Sequence, residues 1–193
     1  MKEAKMKKNI SKSLIMAPMP VLIIGTYDEN NVPNAMNAAW GMQCDGDAIM
    51  ISLGKHKTTE NLKIKNAFTV AFATKETLIE SDYFGIETGA KVNKIERAGF
   101  HAVKSQYVDA PVFEEYPVTL ECEVLELQDD EGDYILVGRV KNVIADEQVL
   151  NEKGNVDLSK LNLITYDSAG HVYREIGRVV GHAFHDGLAI KNK

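Results

Sequence analysis

The chain has 193 residues, 45% of them apolar and 26% charged, with a formal net charge of −6. That is enough for one domain with a sizeable core, and the composition is ordinary for a globular protein. The acidic balance argues against a nucleic-acid partner, and no apolar run is long enough to cross a membrane as a helix. The cysteines, Cys44 and Cys122, lack close metal spacing and fit a reducing cytoplasm in which both stay thiols.

Residues 1–13 read as a flexible basic N-terminus carrying Lys2, Lys5, Lys7, Lys8 and Lys12, and residues 14–193 as one domain. Lysines followed by the apolar run 14–24 imitate a secretion signal. Pro18 and Pro20 interrupt that run, and no small-x-small cleavage pattern follows it. Residues 21–26 predict a first strand, joined through the polar turn 28–31 to a second at 33–40. Residues 48–53 predict a third. Thr58 is the expected N-cap of a short helix reaching Lys65, without a full capping box because Asn61 stands three residues on. Residues 68–72 alternate with period two and predict a fourth strand. Helical spacing over 77–84 is broken by Gly85 and Gly89, and 91–98 predicts one more short helix ended by Gly99. Pro111 and Pro117 bracket an extended linker. Residues 118–128 and 134–143 predict the clearest hairpin, and a break in alternation near Leu125 predicts a bulge. A polar excursion at 146–163 precedes a last short strand at 163–166. Many short strands, antiparallel turns and few long helices predict a mainly β chain closed into a barrel with helical excursions. No strand leads into a Gly-x-Gly-x-x-Gly turn, so a Rossmann site is not expected.

The stretch 34–61 carries the most chemistry. Asn34-Ala35-Met36-Asn37-Ala38-Ala39-Trp40 joins small and amide residues to the only tryptophan. A strand-like segment follows, then Lys55-His56-Lys57-Thr58, a basic and hydroxyl-bearing helix start. Small residues let a planar ring approach a backbone, and an indole packs on such a ring. A basic helix N-terminus holds an anion. Together they predict a phosphorylated planar cofactor such as FMN.

In its order of segments the chain resembles the flavin reductase-like family with the FMN-binding split-barrel fold, and within it the flavoredoxin branch. The resemblance runs from about residue 14 to 187. Asn34-Ala35-Met36 leading to Trp40 resembles the family's second strand, and Lys55-His56-Lys57-Thr58 its phosphate grip. Tyr83-Phe84-Gly85 through Thr88-Gly89 to Asn93-Lys94 resembles its Tyr-Phe-Gly…Ser-Gly…Asp-Lys segment, with Asn93 in place of the acid. Gly138-Arg139-Val140 with Asp146, and Ile176-Gly177 to Gly187, resemble its later strand and closing segment. The resemblance implies an antiparallel Greek-key split barrel. It also implies a homodimer with FMN at the subunit interface, and NAD(P)H as a possible electron donor. The residues expected around the cofactor are Asn34, Asn37, Ala38, Ala39, Trp40, Ser52, Lys55, His56, Lys57, Thr58, Lys94 and Tyr166.

Each residue also has a plainer role open to it. Trp40 is a core aromatic or a wall of the flavin pocket. Asn34 and Asn37 end a turn and a strand, or offer a donor and an acceptor to the ring's pyrimidine edge. The 55–58 turn is a solvated cap or a phosphate site worth roughly 0.3–1 kcal/mol from the helix dipole. Lys94 is a surface lysine or a cation that stabilises reduced flavin. Tyr166 packs or touches the ring. His182 and His185 lack an obvious third ligand and read as surface residues rather than a metal site. Cys44 has no CxxC partner and reads as a small buried side chain rather than a redox thiol. The expected function is electron passage from NAD(P)H through bound flavin, with no side-chain acid or base required. The alternative is a flavoredoxin-type carrier fed by a redox protein.

Overall fold

The computed structural model describes residues 6–10 and 15–191. Of the basic N-terminal segment only 6–10 fall within that range, and they carry no regular structure; its other lysines lie outside the described residues.

In chain order the strands are β1 (Met19–Pro20), β2 (Leu22–Tyr27), β3 (Pro33–Ala38), β4 (Gly41–Gln43) and β5 (Ala48–Leu53). Helix α1 (Lys57–Lys65) leads to β6 (Ala67–Phe72), then α2 (Leu78–Ile86) and α3 (Lys94–Ala98). The chain continues through β7 (Ala102–Lys104), β8 (Pro111–Phe113), β9 (Val118–Asp130) and β10 (Asp133–Ala145). It ends with β11 (Ile164–Asp167), β12 (Val172–Glu175) and α4 (Leu188–Lys191). A seven-stranded sheet in the order β3-β2-β6-β9-β10-β5-β4 curls into the expected split barrel, antiparallel throughout. The order is not sequential, because the β4–β5 pair crosses to the far side of the sheet, with β4 at its edge, and β6 returns beside β2.

Strand β2 is buried on both faces, as a continuous apolar run dictates. Leu22 and Ile24 face the barrel core with Met36, Ile51, Phe68, Cys122 and Leu136. Val21 and Ile23 face a second core outside the barrel, with Ala35, Phe84, Ile95, Phe113 and Tyr116. Phe84 meets Phe100 edge-on at 5.4 Å, a favourable aromatic geometry that seats α2 on the sheet.

The bulge expected at Leu125 is present: Val137 pairs with Glu126 and Gly138 with Val124, leaving Leu125 unopposed. A second irregularity at Lys141, between Val140 and Asn142, carried no break in the apolar pattern that would announce it.

Several boundaries differ from expectation. His56, not Thr58, is the N-cap of α1, and Thr59 Oγ1 accepts from His56 N (3.0 Å) and donates to His56 O (2.8 Å). Gly85 does not break α2 but lies in its last turn, where a Cβ would sit 3.2 Å from Asn37 Cβ. The close packing of helix on strand overrides glycine's low helix propensity. Helix α3 starts at Lys94, with Asn93 as its cap accepting from Glu96 N (3.3 Å). The supposed linker from Pro111 contains β8, which pairs with β7. Strand β12 was not expected; it pairs with β11, which also pairs with β1.

Candidate functional site

Strand β3 organises the site. It is an edge strand, paired only with β2 among the described strands, and none of its six residues is exposed. Its residues alternate. Met36 and Ala38 enter the barrel core, while Ala35 joins the outer core and Asn37 meets α2.

At one end of β3, Asn34 is 7% exposed and its Nδ2 donates to Thr58 Oγ1 at 2.9 Å. Thr58 is itself 1% exposed, so it is not part of an exposed turn; Lys55 and His56 are exposed and Lys57 is half-buried. Asn34 Oδ1 is enclosed and has no hydrogen-bond partner. A buried orphan acceptor costs roughly 1–3 kcal/mol, so a donor from a water or a ligand reaching this atom would be favourable. The heavy-atom positions serve equally with the amide turned over, the Thr58 hydroxyl donating and Nδ2 facing outward. The group at this point can therefore offer either a donor or an acceptor.

Asn34 lines a cavity of about 220 Å³ with Asp28, Lys57, Gly89, Lys91 and Asn93. Two lysines and the N-terminal end of α1 converge on it, a donor set suited to an anion. Gly89 is required here: a Cβ would lie 2.0 Å from Asn34 Oδ1. Gly89 and Lys91 belong to the segment between the two short helices; Gly89 falls within the resemblance at Thr88-Gly89 but was not expected as a site residue, and Lys91 has no motif of its own. What could have singled them out is the small-residue pair Gly89-Ala90 beside a lysine.

Midway along β3, Asn37 Nδ2 donates to Ser81 O at 2.8 Å, which ties the strand to α2. Close by, Tyr173 donates from its hydroxyl to Asp82 Oδ1 at 2.8 Å. Burial, then the Asp82 carboxylate, raises the Tyr173 phenol to about 12, so it stays a donor. Tyr166 stands opposite Tyr173 across the β11–β12 pair, ring centroids 6.0 Å apart, and its hydroxyl meets His171 Nδ1 at 2.9 Å. Tyr173 and Asp82 were not expected from the sequence, because β12 was missed.

At the far end of β3, Ala38 and Ala39 are buried, and Trp40 is 62% exposed. The reading of Trp40 as a core aromatic is thereby excluded. Ser52, exposed on β5, donates its backbone N–H to Trp40 O at 2.8 Å. At about 3.3 Å per strand residue, Asn34 and Trp40 stand roughly 20 Å apart. The expected residues thus fall into a polar cluster at Asn34–Thr58–Lys57, a middle group at Asn37 and Tyr166, and an apolar end at Trp40.

Lys94 belongs to none of these. It is not a surface lysine: it is 4% exposed, and its ammonium donates to Phe84 O (3.0 Å) and Glu87 O (3.1 Å). Within this chain its ammonium ties the end of α2. Burial lowers its pKa to about 8, partly offset by the Glu87 charge.

A larger cavity of about 530 Å³ opens at the barrel mouth, lined by apolar residues such as Leu22, Met42, Ile51, Phe72 and Val140. It holds no convergent cations, so the smaller polar groove is the better candidate for anchoring an anionic ligand. Cys122 lies inside the barrel, where burial pushes its thiol up to about 12; Cys44, expected to be buried, is instead an exposed free thiol in the turn after β4. Among the described residues no cluster of histidine, cysteine or carboxylate side chains could hold a metal ion, and no helix is long and apolar enough to cross a membrane.

Known proteins share this architecture. Flavoredoxin of Desulfovibrio vulgaris (Miyazaki F) is 28% identical, superposes with a TM-score of 0.89, and is matched over 94% of this chain and 100% of its own. Flavoredoxin from Methanosarcina acetivorans is 25% identical with a TM-score of 0.89, over 96% of this chain and 100% of its own. An uncharacterized protein of Archaeoglobus fulgidus is 32% identical over 115 residues, which span 58% of this chain and 64% of that protein, less than two thirds of its length. Residues 16–169 match the flavin reductase like domain. With that match covering both cores and the whole of β3, the chain belongs to the flavin reductase-like domain family.

Proposed function

We propose that the protein is an FMN-binding oxidoreductase of the flavin reductase-like kind, taking electrons from NAD(P)H. The observation that carries the reading is the groove at Asn34: an orphan buried amide oxygen, two lysines and a helix N-terminus, with a wall that packs on Asn34 at Gly89. These residues fit a ribityl phosphate. Lys57, Lys91 and the α1 N-terminus would neutralise the phosphate, and Asn34 and Thr58 would meet a neighbouring hydroxyl. The small residues of β3 would let the flavin ring lie along the strand edge. FMN when bound supplies a ring that accepts a hydride or single electrons. The chain's own part is to anchor, orient and shield; the Tyr173 hydroxyl remains protonated and Asn37 stays fixed by α2.

A second reading, a flavoredoxin-type carrier fed by a redox protein, is supported by the 28% identity and near-complete overlap with flavoredoxin. One experiment separates them. The purified protein is saturated with FMN, and its visible absorbance is followed anaerobically with NADH and with NADPH. Rapid bleaching by either supports the reductase; bleaching only by a protein reductant supports the carrier; no FMN uptake sinks both.

The working unit is proposed to be a homodimer with flavin at its interface. From Ile176 to Lys191 every residue is exposed, with Val180 at 93% and Phe184 at 103%; the arm is tied to its own subunit at its start, where Ile176 N donates to Leu163 O at 3.2 Å. Trp40, Met42 and Ile144 are exposed as well. Apolar surface of that extent is what a second copy would cover. Light scattering on the purified protein tests it, with a monomer at micromolar concentration as the adverse result. The unpaired thiols support a cytoplasmic location.

A further inference from the structure

The segment 88–93, which forms one wall of the groove, is tethered in an unusual way. Within itself it makes few bonds: Thr88 N reaches Glu87 Oε1, Ala90 N reaches Thr88 Oγ1, and Lys91 N reaches Thr88 O. It meets the barrel at Gly89 against Asn34. At its far end stands Lys94, the one buried lysine among the described residues. The Lys94 ammonium donates to the carbonyls of Phe84 and Glu87, which sit at the C-terminal end of α2. Helix-end carbonyls lack intrahelical partners, and a cation there complements the helix dipole. One side chain from the first turn of α3 thus closes the segment into a loop whose two ends are held together.

We propose that Lys94 is a positioning residue for the phosphate end of the site: it latches α3 to the end of α2 and so holds Gly89 and Lys91 against Asn34 and Lys57. This rests on the FMN reading of the groove and gives Lys94 a role that needs no contact with the ligand. A buried ammonium is costly to desolvate, and two neutral carbonyls and a nearby carboxylate offset that cost only in part. An apolar side chain of similar length would pack here without that cost, but it would leave the α2 carbonyls unpaired and the loop closed by sterics alone.

The test combines amide hydrogen exchange with ligand titration on the full chain, comparing Lys94→Met, Lys94→Arg and the unaltered protein. In Lys94→Met, exchange over residues 87–93 rises at least about tenfold while the barrel strands are unchanged. FMN affinity falls about tenfold and riboflavin affinity by less than about threefold, because the loop serves the phosphate. Lys94→Arg, which keeps the charge and donors, recovers part of the FMN affinity. Equal loss for both flavins would overturn the proposal, since it would place the lysine's effect on the ring; so would unchanged exchange over 87–93. If Lys94→Met does not fold, Gly89→Ala displaces the same loop from its other side, and the same phosphate-selective loss is required of it. If the unaltered protein binds neither flavin, the FMN reading fails, and the exchange data alone decide whether the latch exists.

Discussion

The two ends of β3 are built on opposite plans. At Asn34 a single chain supplies everything: a buried amide, a buried hydroxyl, two lysines, a helix N-terminus and a latched loop. At Trp40 the same strand ends in open surface, with the indole 62% exposed and Met42 57% exposed. An anionic group needs a fixed donor set, which one subunit can preorganise. A planar ring needs apolar cover on both faces, which an edge strand cannot give alone. One end therefore reads as complete and the other as half of a shared structure.

The largest expected effect tests how enclosed the Asn34 end is. Lys94 titrates at about 8 when folded, against 10.5 for a free lysine side chain. Between those values the unfolded chain binds more protons, so this group's contribution to stability rises as pH climbs from about 8 to 10.5. The gain is at most about 3 kcal/mol, at 1.36 kcal/mol per unit of pKa. Urea denaturation across that range, for the parent and Lys94→Met, isolates it, because every other group titrates in both. Parallel curves would show that the lysine is solvated and the end is not sealed.

Next comes Lys57→Ala with Thr58→Ala. Removing a cation and the hydroxyl that holds Asn34 should weaken FMN by about 1.5–3 kcal/mol, the range for hydrogen bonds to charged groups. Because Thr58 is buried, some stability is lost as well, so affinity is measured by titration at a temperature well below the melting point. Unchanged FMN affinity would move the phosphate elsewhere. Riboflavin separates the ends without any mutation: FMN should bind about tenfold or more tightly, a difference of about 1.4 kcal/mol. Equal binding would remove the anion role from the groove.

The same contrast explains what the sequence made legible. The barrel was readable because β2, β5, β6, β9 and β10 carry uninterrupted or alternating apolar patterns, and the Leu125 bulge showed as a break in one of them. The basic helix start at residues 55–58 and Asn34 were readable because their chemistry is local. Lys91, Asp82 and Tyr173 were not, because each acts through a contact distant in sequence, and Gly89 showed only as part of a resembling segment, without its contact to Asn34. Nor did any local signal say that Lys94 turns inward, or that Gly85 is needed for α2 to lie against Asn37. Propensity marks glycine as a breaker, and only the packed structure shows why it is kept in the helix.

The smallest expected effect is at Trp40, and it tests the open end directly. The chain has one tryptophan, so its emission has a single origin. Excitation at the red edge of the absorption band avoids most of the signal from seven tyrosines. If the ring lies along β3 towards this end, Trp40 emission is quenched when FMN binds and recovers on release. Energy transfer acts beyond contact, so Trp40→Ala supplies the second measurement. An aromatic partner is worth about 0.5–1.5 kcal/mol beyond area burial, and FMN affinity should fall by about that much while the oligomeric state persists. Exposure at 62% means that the folded subunit does not depend on the indole, so a loss of stability is not expected to confuse the result. Full emission from a protein shown to be saturated with FMN would place the ring away from Trp40, and the open end of β3 would then serve the subunit contact alone.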